Sequence, residues 1–187
     1  MGRAVPLRTG SRGGQASSAQ IVVKALSRAA RRGHVQMGAL RLPCALGRSG
    51  MRALKREGDG ATPLGRFPVR QIMVRSGVKP PLSVLKTRAI RRNDGWCDSP
   101  CDRNYNRPVK LPYPASAERL WRGDGLYDVV VVLAYNDVPR VRNRGSAIFM
   151  HIARPDFAPT EGCIALRERD LRRLIALLPK RCELVVL

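Results

Sequence analysis

The stretch Asp128-Val129-Val130-Val131-Val132-Leu133-Ala134-Tyr135 is apolar on consecutive residues rather than on alternate ones. A strand written this way buries both faces and belongs in the centre of a sheet or sandwich. A second run, Ala147-Ile148-Phe149-Met150-His151-Ile152, reads as another buried strand and pairs beside the first. Further strands are expected at Ile21-Val22-Val23, from Gly38 to Leu46, and from Phe67 to Val74, where Phe67, Val69, Gln71 and Met73 alternate along one face. Gly58, Gly60, Pro63 and Gly65 mark the turn before the last of these. Arg169 to Leu178 carries Leu171, Leu174, Ile175 and Leu178 at helical spacing, with Glu168 and Asp170 where a helix start favours negative charge. Pro179 ends that helix, and Cys182 to Leu187 gives a closing strand. The expectation is a mainly β fold, a sandwich or barrel with one short helix near its end.

Catalytic chemistry is legible where the second run meets Gly162-Cys163-Ile164. His151 closes an apolar strand, and a loop containing Pro155, Pro159 and Thr160 returns the chain to Cys163. Such a return can set imidazole beside sulfur. A thiol at its free pKa is a weak nucleophile at neutral pH and needs a nearby base. The chain has two histidines, His34 and His151, and it is the second that closes the apolar strand leading into the Gly-Cys return. Cys163 is therefore expected as nucleophile and His151 as its base. Gly162, without a side chain, admits substrate to the backbone, and the amides of Gly162 and Cys163 are candidates for an oxyanion hole; the alternative is a plain turn glycine. The helix that follows either lends its positive end to a thiolate or serves packing alone.

At His151, Thr160, Gly162, Cys163 and Ile164 the chain resembles the L,D-transpeptidase (YkuD-type) family, whose motif runs from a strand-end histidine through Ser/Thr to Gly-Cys. The likeness extends to Lys55-Arg56-Glu57-Gly58-Asp59-Gly60-Ala61-Thr62-Pro63-Leu64-Gly65, which looks like the family's Gly-Thr-Pro-x-Gly hairpin, and spans roughly residues 21 to 187. Three departures stand out. The His-to-Cys spacing is shorter than in the commonest form, Glu161 stands where many members have a second histidine, and Ala165 where they have Asn or Arg. Glu161, were it aimed at the sulfur, would disfavour a thiolate, so it is expected to point away.

The resemblance implies acyl transfer on peptidoglycan stem peptides. Cys163 would form a thioester with the third-position diamino acid, terminal D-alanine would leave, and an amine of a neighbouring stem would accept the acyl group. It implies no cofactor or metal, acylation by carbapenem β-lactams, and a place in the cell envelope or periplasm. An L,D-carboxypeptidase or murein hydrolase on the same scaffold differs only in letting water resolve the thioester. A papain-type protease runs cysteine before histidine, the reverse of this order.

Length and composition bound the rest. The 187 residues, 44% of them apolar, suit one domain, assigned to residues 21–187. Met1 to Gln20 is rich in Gly, Ser and Arg without the apolar core of a secretory signal, and reads as disordered. No apolar run is long enough for a transmembrane segment. The net charge of +21 fits either a soluble basic surface or a polyanionic partner. A basic nucleic-acid-binding module would explain the charge, but aromatics are only 5% and the arginines are scattered, so no sequence-specific nucleic-acid partner is expected.

The five cysteines include one close pair, Cys97 and Cys101, which reads as a disulfide or two ordinary thiols rather than a zinc site. Cys44 and Cys182 read as small buried side chains. The loop from Asp94 to Asn106 mixes aromatics and amides without periodicity, as a substrate cover or a self-packed loop would. On the first reading Trp96, Arg103, Asn104 and Tyr105 bind substrate. Thr160 joins them through the motif, and Arg154 and Arg167 are candidates to hold a carboxylate.

Overall fold

A computed structural model describes residues 19–187. The first strands are β1 (Ala19–Lys24), β2 (Arg32–Met37), β3 (Leu40–Ala45), β4 (Met51–Arg52), β5 (Thr62–Pro63) and the long β6 (Gly65–Arg75). Then come β7 (Thr87–Ile90), β8 (Asp94–Cys97), β9 (Pro108–Lys110), β10 (Ala117–Arg119), β11 (Val129–Leu133), β12 (Phe149–Ile152) and β13 (Ile164–Leu166). The helix α1 (Glu168–Leu177) and β14 (Cys182–Val186) complete the chain. The fold is mainly β, with one short helix late in the sequence. Of the expected disordered segment, Met1 to Ser18 lies outside the described residues, while Ala19 and Gln20 open β1.

β6, β11, β12, β13, β3, β2, β1 and β14 pair in that order, and β14 returns to β6, so the sheet closes into a barrel. Closure leaves no free edge along this circuit. β7 extends the edge of β6 beyond β14, and β10, β8 and β9 form a separate small sheet. Most pairs are antiparallel; β12 and β13 run parallel, with His151 opposite Ala165.

The valine run sits in the middle of β11 and is buried along its whole length. Alternation divides it between two cores. Val129 and Val131 enter the main core with Ile148, Met150, Leu171 and Leu174. Val130 and Val132 turn the other way, to Trp96, Tyr127, Phe149 and Cys163. The helix buries Leu171, Leu174 and Ile175 against the main core, as its spacing predicts.

Two local expectations are corrected. The alternation along Phe67, Val69, Gln71 and Met73 does not hold, because the β6–β11 register shifts between Val132 and Leu133. Leu133 pairs with Val69 but Val132 pairs with Gln71, so Arg70 is the extra residue of a bulge. Beyond it the faces exchange, and Ile72 and Val74 join Phe67 in the main core while Met73 joins the other. Secondly, β4 and β5 pair in parallel, so the segment from Lys55 to Gly65 is a loop returning alongside its start and not a hairpin. Arg32–Met37 is a further strand that the sequence reading did not assign: it pairs with β3 along its whole length, and Gly33 and Val35 are buried.

Met150 is fully buried on β12, between the neighbouring strands and the core that α1 covers. Met150→Ala should cost about 2–5 kcal/mol by transfer and cavity terms. Denaturant titration measures it, and a change under about 0.5 kcal/mol would show that the core collapses freely around the site.

Candidate active site

β12 and the start of β13 position the two candidate reacting groups. Ala147, Phe149 and His151 project to the same side of the chain, and Cys163, one residue before β13, reaches back to the backbone between the first two. Its thiol donates to the Ala147 carbonyl at 3.3 Å and its sulfur accepts from the Phe149 amide at 3.4 Å. Ala147 has φ +51°, a strained left-handed conformation for a residue with a side chain. Its amide donates to Asn106 Oδ1 at 3.1 Å. Cys163 and His151 line one cavity of about 510 Å3 and are not hydrogen-bonded to each other.

Protonation follows from the contacts. His151 Nδ1 lies 2.9 Å from the Ile152 carbonyl, which can only accept, so Nδ1 carries the proton and Nε2 keeps its lone pair. Burial disfavours the imidazolium and lowers the His151 pKa to about 4. Burial likewise pushes the Cys163 thiol up to about 12 and Glu118 adds to the rise; the Phe149 amide, Lys55 and Tyr127 favour the thiolate but do not offset it. The resting site is a neutral thiol facing a neutral imidazole. The helix does not follow Cys163 directly: β13 lies between them in the chain, and α1 buries Leu171, Leu174 and Ile175 against the main core.

The Gly-Cys turn is fixed from several sides. Gly162 has φ +128°, and a Cβ there would meet the Ala61 carbonyl oxygen at 2.7 Å, so the position needs glycine. Thr160 N donates to Leu46 O and Thr160 O accepts from Arg48 N, at 2.9 and 2.8 Å. The Thr160 hydroxyl donates to the Cys163 carbonyl at 2.6 Å and accepts the Gly162 amide at 3.2 Å. Glu161 points to Arg48, whose Nε donates to its two carboxylate oxygens at 2.9 and 2.7 Å. Buried Thr62 accepts the Gly47 amide at 2.9 Å, so the Ala61–Thr62 and Gly162–Cys163 segments are held against the same short stretch of chain.

The family model for the L,D-transpeptidase catalytic domain (YkuD) matches residues 21–187. The chain belongs to this family. Searches of curated proteins and of solved structures gave no match. In this L,D-transpeptidase domain Ala165 stands opposite His151 and Ala45, is buried with Phe157, and borders the cavity that Cys163 and His151 line.

The substrate residues expected from sequence are scattered. Thr160 and Arg154 line the cavity of Cys163 and His151, Arg154 without an ion-pair partner among the described residues. Arg167 does not line it; it stacks on Phe157 at 5.2 Å and borders another cavity. Trp96 is buried edge-on to Phe149 at 5.1 Å, its indole donating to Asn106 Oδ1 at 2.8 Å. Tyr105 is buried, donating to Glu57 and accepting the Gly145 amide at 2.9 Å. Asn104 Nδ2 donates to the Tyr113 hydroxyl at 2.8 Å, and Arg103 is exposed away from the cavity. Trp96, Arg103, Asn104 and Tyr105 therefore do not line the cavity, and the Asp94–Asn106 segment meets it through Asp98 alone. All five cysteines are free thiols; Cys44 and Cys182 are buried and Cys101 is exposed.

The sequence reading missed the cavity walls. Lys55, Glu57, Asp98, Glu118, Tyr127 and Ser146 all line it. Tyr127 packs edge-on to His151 at 5.0 Å and donates to Glu118 at 2.5 Å. Buried Lys55 is matched by Asp59 at 2.6 Å, while Ser146 Oγ and Asp98 Oδ1 are buried without a hydrogen-bond partner among the described residues. The one available signal was the polar residues within the Lys55 to Gly65 motif.

A depressed His151 has a direct kinetic consequence. Below about pH 4 the imidazole is protonated and cannot accept the thiol proton, so the acid limb of kcat/KM should lie near 4. A limb near the unperturbed 6.5 would show a solvated histidine. Iodoacetamide at neutral pH should modify exposed Cys101 before Cys163.

Proposed function

We propose that this protein is a peptidoglycan L,D-transpeptidase that forms a thioester at Cys163 with a stem tetrapeptide and passes the acyl group to an amine of a neighbouring stem. The observation that carries the reading is the pairing of Cys163 and His151 across one cavity in a chain of this family. His151 Nε2 takes the thiol proton as Sγ attacks the carbonyl, so charge develops only as the bond forms. The oxyanion is met by the Cys163 amide; the Gly162 amide, already donating to Thr160, contributes less. The imidazolium returns its proton to the departing amine of D-alanine. The incoming amine gives its proton to His151 and expels the sulfur, restoring the thiol.

The walls suit a substrate with both charges. Asp98 offers an unpaired carboxylate oxygen, Arg154 an unpaired guanidinium and Ser146 an unpaired hydroxyl, while Lys55, Arg122 and Glu161 already have partners. A diamino-acid stem carries an ammonium and a carboxylate to match. Family members are generally associated with the cell envelope, where that polymer lies. Among the described residues no helix is long and apolar enough to cross a membrane.

Cys163→Ala should abolish turnover with the fold intact, and His151→Ala should lower the rate by roughly 100- to 10,000-fold. The assay is conversion of a stem tetrapeptide with an amine acceptor, read by mass spectrometry, and a cross-linked product is expected. Release of the shortened peptide alone would make the enzyme a carboxypeptidase. A carbapenem should leave one adduct, mapped to Cys163; an adduct spread over the other cysteines would refute an activated site.

Ser146→Ala tests the walls. Loss of a substrate hydrogen bond should raise KM several-fold with kcat little changed, since about 0.5–1.5 kcal/mol of uniform binding is removed. An unchanged KM would leave Ser146 outside the binding surface.

A further inference from the structure

A second cavity, of about 560 Å3, is lined by Lys24, Arg32, Arg41 and Arg167 over an apolar part that includes Leu26 and Phe157. No carboxylate lines it, and none of these four cations forms an ion pair among the described residues. Met1 to Ser18 contains no Asp or Glu, so that segment supplies no counter-charge either. The cavity at Cys163 is built differently: carboxylates line it, Lys55 and Arg122 are each matched to one, and Arg154 alone is unpaired among the described residues. Four unmatched cations round one hollow repel one another and favour an anion.

Leu26 fixes what kind of anion. It stands fully exposed at the rim, on the loop joining β1 to β2, with exposed Arg28 and Arg31 on the same loop. A lone exposed leucine is ordinary. Beside an acid-free basic hollow it matches the layering of a bilayer surface, phosphates at the level of the cations and acyl chains below. Nucleic acid would instead want open aromatic faces, and Phe157 is covered by the Arg167 guanidinium at 5.2 Å.

We propose that this cavity and the β1–β2 loop dock the protein on an anionic phospholipid surface, the cavity taking a phosphate headgroup and Leu26 entering the acyl boundary. The loop between His151 and Cys163 lends Phe157 to this cavity, and Arg32 donates to the Asp156 carbonyl of the same loop, so docking would act next to the catalytic segment. The inference does not depend on the acyl-transfer reading.

The test is sedimentation of the full chain with phosphatidylcholine vesicles, with and without phosphatidylglycerol, at physiological salt. Binding is expected only with the anionic lipid. Replacing Lys24, Arg41 and Arg167 by Gln should weaken it roughly a hundredfold, about fivefold per charge. Leu26→Ser, at a fully exposed position with no packing to lose, should weaken it about tenfold. Replacing exposed Arg52, Arg107 and Arg173, which line neither cavity, removes the same charge and should cost a few-fold at most. Equal loss in the two triple variants would overturn the proposal, because net charge alone would then bind. An unaffected Leu26→Ser, or equal binding to pure phosphatidylcholine, would also overturn it. So would a cavity that takes inorganic phosphate or duplex DNA, with loss in the Lys24 variant, while the anionic vesicles are left unbound.

Discussion

The two-sided burial of β11 and β12 is the constraint on which the site depends. Two adjacent strands with both faces covered leave no freedom of register, because a one-residue slip would exchange every side chain between the cores. Ile148 and Met150 anchor β12 in the main core, and the same alternation sends Phe149 and His151 to the opposite side. Cys163 then finds its place on the backbone at Ala147 and Phe149 without a rigid side-chain partner. The candidate catalytic face is a by-product of core packing.

Burial also sets the chemistry. The same desolvation that lowers the histidine raises the thiol, so the pair rests uncharged instead of as a thiolate–imidazolium ion pair. On the acyl-transfer reading proposed above, proton transfer and attack would then be coupled, with reactivity appearing only when a carbonyl is in place to accept the sulfur. A thiol held this way is protected from adventitious alkylation and oxidation, which require thiolate.

Behind the site, the small sheet and Asn106 act as a brace. Asn106 is buried at φ +54°; its Oδ1 accepts from Trp96 and Ala147, and its Nδ2 donates to the Tyr135 and Asn136 carbonyls at 2.9 and 2.8 Å. One amide thus ties the Asp94–Asn106 segment, the end of β11 and the entry to β12 together. That accounts for a loop rich in aromatics and amides that does not line the cavity with Trp96 or Tyr105. Polar composition reports that hydrogen bonds are made, not with whom.

The sequence by itself determined the mainly β class, the buried strands at Val129 and Phe149, the late helix, and the candidate pair His151 and Cys163. These are local facts: hydrophobic period, turn residues and the chemistry of a residue type can be read along the chain. Tertiary structure alone decided the bulge at Arg70, the parallel return at Thr62, the cavity walls at Asp98, Glu118 and Ser146, and the separation of Arg167 from the site. Each of these depends on which distant segments meet across a closed barrel. The protonation of the dyad belongs with them, because desolvation is a property of everything packed around a group and no spacing between His151 and Cys163 encodes it.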